Sequence, residues 1–194
     1  MHDIEPYYHW RNHYTTEDDE YSPFYGSNYD EFYFSNKVYN YYIHPQWDAF
    51  GSDTLYLKVL YADYDTGFAI IELIGEWNDC LHNDIMYLKR KVLDVLMYRG
   101  IFKFAVIGES VFNFHGGDDD YYEEWNDEVR EENGWIIFLN LHQHVYDEMV
   151  QSRIHHYVNL LPHLMNYEWR KQTPQNLFKT FEMLMNKHKF IETE

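Results

Sequence analysis

The chain has 194 residues, with 33 acidic against 15 basic side chains and a formal charge of −18. A field of that sign repels phosphate backbones, so direct nucleic-acid binding is disfavoured and basic protein partners or cations are favoured. Cys80 is the only cysteine, which excludes an internal disulfide, and no run approaches the roughly 18 apolar residues of a membrane span.

Aromatic residues make up 20% of the chain, with 20 Tyr, 13 Phe and 6 Trp. Tyrosine joins apolar area to a polar tip, so it suits half-buried surfaces and partner contacts. The opening stretch, "MHDIEPYYHW", lacks the basic start and apolar run of a signal peptide, which predicts a cytoplasmic protein.

Residues 1–52 read as an aromatic-rich extension packed on a main domain, with turn signals at Ser22-Pro23 and Gly26. "FYFSNKVYNYYIHP" offers one or two short strands. Tyr7, Tyr8, Trp10, Arg11 and Trp47 are the residues of this segment expected to form a partner surface, since such side chains concentrate binding energy. The plainer alternative is a second layer wrapped over the sheet, and both can hold.

Residues 53–150 carry an α/β pattern. Thr54–Asp63 alternates like a strand, "DTG" is a hairpin turn, and Phe68–Trp77 is a second, more buried strand pairing with it antiparallel. Leu81, Ile85, Leu88, Val92 and Leu96 recur at helical spacing, with Lys89-Arg90-Lys91 expected on the wet face. "IFKFAVIGES" is a third strand, reached by a right-handed crossover. Asp118–Gly134 predicts a second helix and "WIIFLNL" a fourth strand. From 151 to 194 the pattern is helical, interrupted near Pro162. Thr173-Pro174 opens an amphipathic terminal helix whose apolar face is Leu177, Phe181, Leu184 and Met185.

The order strand, strand, helix, strand, helix, strand, helix over about residues 55–150 resembles the STAS domain and its SpoIIAA-like branch. "IIELIGEW", "FKFAVIGESVFNFHGGDD" and "GWIIFLNL" carry the likeness. It implies a STAS-like mixed β-sheet flanked by helices, here with the N-terminal extension and C-terminal helices added. The family's anti-sigma antagonists have a phosphorylated Asp-Ser-Ser/Thr-Gly loop, where this chain has His115, Gly116, Gly117 and Asp118. With no hydroxyl there, regulation by loop phosphorylation is not expected. The whole chain also resembles proteins of Bacteroidetes bacteria with no assigned function, which implies nothing about activity.

Two readings of function follow. The first is a non-catalytic cytoplasmic interaction or regulatory module with a protein partner, no nucleic acid and no membrane; self-association stays open. The second is a metal-dependent hydrolase. His115 and Asp118 follow one strand, His142 and His144 follow another, and Glu109 is a further donor. In an open α/β sheet such strand ends share one edge, and imidazole and carboxylate suit a divalent metal. Against this, "FHGGDDD" also reads as a glycine turn and an acid-rich helix start, needing no cofactor. No nucleophile elbow or phosphate loop appears. A third reading places a small ligand between the aromatic extension and the sheet edge.

Overall fold

A computed structural model describes residues 4–192, with side chains through residue 187. The centre is a five-stranded mixed sheet of order β3-β4-β5-β6-β7. β3 (Leu55–Asp63) and β4 (Phe68–Asn78) form the expected antiparallel hairpin, with Gly67 at φ +67° in its turn. β5 (Lys103–His115), β6 (Trp135–Leu139) and β7 (Asn159–Leu160) then add in parallel. A separate two-stranded ladder, β1 (Lys37–Val38) with β2 (Tyr41–Tyr42), lies in the N-terminal segment.

Alternation along the strands sends residues to two faces. On the first face Leu57, Ile71, Leu73, Trp77, Phe104, Val106 and Phe138 are buried beneath three helical crossovers. The first crossover is α1 (Asp79–His82), α2 (Asp84–Leu88), a π-turn (Lys89–Leu93) and α3 (Asp94–Tyr98). The others are α4 (Asp120–Glu131) and α5 (Gln143–Gln151). On the second face Phe68, Ile70, Ala105, Ile107 and Ile137 are covered by Trp10, Trp169 and α6 (Pro174–Glu192). Leu177, Phe181 and Met185 of α6 are buried there, as their spacing predicts, and Leu184 is partly buried. Thr173 Oγ1 accepts from the Asn176 N–H, so the expected cap forms.

Three expectations are corrected. The helix written over Leu81–Leu96 is broken: Asn83 takes φ +53°, a conformation asparagine tolerates, and a π-turn interrupts the rest. Lys89 is not on the wet face. It is fully buried, with its ammonium on Asp94, on Glu128 at 2.8 Å and on Glu124 at 3.4 Å. It lies four residues after Ile85 and three before Val92, so it belongs to the apolar stripe that a block of three basic residues disguises. The segment after α5 is not a continued helix. Arg153 at φ +65° ends it, and the chain makes a short turn and then the two-residue β7.

The third strand runs past Ser110 to His115, so "VFNFH" continues the sheet. The second helix starts at Asp120, two residues later than expected, and the left-handed residue beyond it is Asn133, at φ +58°. No helix among the described residues is long and apolar enough to cross a membrane.

Candidate functional site

The carboxyl ends of β4 and β5 meet at Asn78 and His115, which are register partners. Asn78 Oδ1 accepts from the Leu81 N–H and starts α1, so the chain turns off the sheet at once. Gly116-Gly117 carries the other strand into α4. The glycines are needed for close approach: a Cβ on Gly117 would lie 2.8 Å from the Asp79 carbonyl oxygen, and one on Gly116 would lie 2.1 Å from Ser152 Oγ. Between α1 and the start of α4 opens a cleft of about 390 Å³, lined by Asp79, Cys80, Asn83, Asp118, Asp120 and Tyr121 among others.

Asp79 is the buried acid of this end. Its Oδ1 accepts from the Trp77 indole N–H at 2.9 Å and the Ile85 N–H at 2.8 Å, and its Oδ2 accepts from the Tyr122 hydroxyl at 2.6 Å. Burial pushes its carboxyl up to about 6, against the pull of those three donors. Burial also pushes the Tyr122 hydroxyl up, so it stays a donor. Asp84, fully buried beside it, accepts from the Asn78 N–H at 2.8 Å. These bonds hold the strand-to-helix corner.

The proposed metal ligands do not assemble. His115 Nε2 lies 3.0 Å from Glu76 Oε1, on the side of the sheet facing the extension. Its neighbour Phe114 packs on Trp77 on the helix-covered face, and Asp118 lines the cleft on that side. Alternation in β5 therefore separates His115 from Asp118. His142 and His144 stack on each other with centroids 5.6 Å apart, and His144 Nε2 lies 2.6 Å from the Phe112 carbonyl oxygen. Glu109 is taken by Arg170, Trp169 and Asn140. Among the described residues, no group of three or more His, Cys, Asp or Glu side chains could hold a metal ion.

The expected partner surface is corrected in part. Trp10 and Trp47 are 4% and 1% exposed and belong to the core. Trp10 donates to the Gln172 carbonyl and packs edge-on against Trp169; Trp47 donates to the Ile4 carbonyl. Tyr7 is half-buried and donates its hydroxyl to the Arg170 carbonyl. Tyr8 and Arg11 remain exposed. The aromatic surface lies further along: Phe32 is 91% exposed and Tyr33 72%, with Tyr39, Tyr41 and Tyr42 also exposed. Tyr39 and Tyr41 also line an apolar groove of about 200 Å³, with Ile4, Val38, Ile43, Ile74 and Phe112. Tyr39 stands there at φ +53° in the β1–β2 turn, its hydroxyl accepting from Asn113 Nδ2 at 2.8 Å.

Two further charged groups, absent from the sequence reading, tie the extension to the sheet. Glu72 on β4 is 2% exposed; it accepts from the Tyr7 N–H at 2.8 Å and lies 3.7 Å from Arg170, which also grips Glu109. Burial pushes Glu72 up to about 7, and Glu109 adds to the rise, while the Tyr7 N–H and Arg170 oppose it. Lys58 on β3 sits 3.2 Å from Asp48 and 3.8 Å from Glu17, over the Tyr29 ring, whose hydroxyl donates to Asp48. Period-2 alternation puts Glu72 among inward residues, which is the one signal that marks it. Nothing local marks Asp48 or Glu17.

No known protein-family model matches the chain, and a comparison with curated proteins found no match.

Proposed function

We propose that this chain is a non-catalytic, cytoplasmic interaction or regulatory module, built on a STAS-like core, that engages a protein partner through the exposed aromatic face of its N-terminal segment. One observation carries the reading: Phe32, Tyr33, Tyr39, Tyr41 and Tyr42 stand in solvent, and Tyr39 and Tyr41 border an apolar groove of about 200 Å³. Exposed aromatics clustered beside an apolar groove mark interaction sites. A charge of −18 favours a partner segment that joins apolar side chains to basic ones. The STAS-like part of the reading rests on element order, a hairpin followed by parallel crossovers with their helices on one face.

The test is affinity capture from native lysate with the wild-type chain and with a Phe32→Ser/Tyr33→Ser/Tyr39→Ser triple variant. A partner retained by the wild type and lost by a variant with unchanged circular dichroism supports the reading. Identical sets of captured proteins for both chains, or a measured turnover with no partner, would overturn it.

A further inference from the structure

A second cleft lies at the opposite end of the parallel strands, where β6 and β7 begin. It measures about 250 Å³ and is lined by Asn126 and Arg130 of α4 and by the turn His155, His156 and Tyr157, among others. Its chemistry runs against that of the chain. Acidic residues outnumber basic ones by more than two to one, yet among the described residues none lines it, while three side chains able to carry positive charge do. Asp127, Glu131 and Glu132 follow the same helix, and none of them reaches Arg130 as an ion pair, whereas Arg90 and Arg170 are each clamped by carboxylates.

The helix C-terminus gives Arg130 one reason to be where it is. It gives none for the two imidazoles that face it from another element, their ring centroids 4.2 Å apart. Other polar groups of the wall are already committed: the Tyr157 hydroxyl donates to Asp119 and the Asn159 amide to the Ile136 carbonyl. Arg130, His155, His156 and Asn126 keep donors in hand, and the guanidinium is shaped for two-oxygen recognition. Val158 and Met185 supply an apolar floor.

We propose that this cleft binds a small oxyanion, a phosphate or a carboxylate group, gripped by Arg130, His155 and His156, with the ligand's apolar part on Val158 and Met185. The site is independent of the aromatic groove and stands whether or not that groove binds a partner.

The probes are inorganic phosphate and, in a separate titration, acetate, added to the full chain while the Arg130 side-chain and His155 and His156 ring signals are followed by NMR. One probe is expected to saturate these signals, and which one does so distinguishes phosphate from carboxylate recognition. Arg130→Gln should weaken that binding by about tenfold or more, as expected for loss of a charge-assisted pair. Arg99→Gln, at an arginine that packs over Tyr21 elsewhere, should leave it unchanged. If Arg130→Gln does not fold, a His155→Gln/His156→Gln variant carries the same expectation. No saturation by either probe up to about 50 mM, beyond even the weak millimolar range, would overturn the site. Equal binding by the wild type and Arg130→Gln, or equal losses in Arg130→Gln and Arg99→Gln, would do the same.

Discussion

The two faces of the sheet bury a carboxylate by opposite means. Under the helices, Asp79 is closed in by three donors from its own corner and from α4. Under the extension, Glu72 has one N–H at hydrogen-bonding distance, an arginine at 3.7 Å and a second carboxylate nearby. The first arrangement makes the acid a keystone of a local corner. The second makes it a weak point in a long-range clasp, because a buried charge short of donors costs stability at neutral pH. Similar chemistry in similar burial thus has different consequences, decided by how many donors converge.

The largest effect that would sharpen this contrast is expected at Asp79. Asp79→Ala leaves the Trp77, Ile85 and Tyr122 donors buried without an acceptor, and each such loss costs about 1–3 kcal/mol. A total loss of about 3–5 kcal/mol in urea unfolding at pH 7 is expected; a loss under about 1 kcal/mol would show that the corner does not depend on the acid.

Lys89→Met comes next. The methionine keeps most of the apolar stem of the lysine but removes the charge that Asp94, Glu124 and Glu128 converge on. Those carboxylates remain partly exposed and can be rehydrated, so the cost should be about 1–3 kcal/mol and should shrink in high salt. An unchanged urea midpoint would show that the buried cation is balanced by its own desolvation.

The smallest effect has an opposite sign on the second face. Glu72 has a folded-state pKa of about 7, above its ordinary 4.5, so the folded chain holds the proton more tightly than the unfolded chain. Its contribution to stability is therefore fully present below pH 4.5 and lost as pH rises through about 7. Glu72→Gln removes this dependence, and the variant should match or exceed the wild type by about 1 kcal/mol at pH 8. A variant less stable than the wild type at pH 8 would mean that the Arg170 contact outweighs the burial. Asp79, also raised by burial, titrates with the same sign between 3.8 and about 6, so the comparison is cleanest above pH 7.

The hairpin and the boundary of α6 are legible residue by residue. The alternation of β3 and β4, the hairpin glycine and the Thr173-Pro174 start of α6 are local signals, and each appears where its chemistry puts it. The candidate metal set was readable only as four residues after strand ends. For His115 and Asp118 the failure comes from one alternation step: His115 and Phe114 point to opposite faces, and the overrun of β5 to residue 115 decides which is which. The anion cleft gave no signal of its own, since Arg130 and His155 are separated by a strand and a helix and meet only when β7 closes the sheet edge.

What the order of residues dictated alone was periodic or entropic in origin: apolar stripes, turn glycines, a proline at a helix start, and an excess of negative charge. Those properties depend on neighbours within a few residues, so one chain suffices to read them. Tertiary packing decided the rest. It alone set that Trp10 and Trp47 close the core while Phe32 and Tyr33 face water, that Lys89 is buried among three acids, and that Asp79 meets Tyr122. Burial and donor count are properties of residues distant in sequence brought together, and no local pattern encodes them.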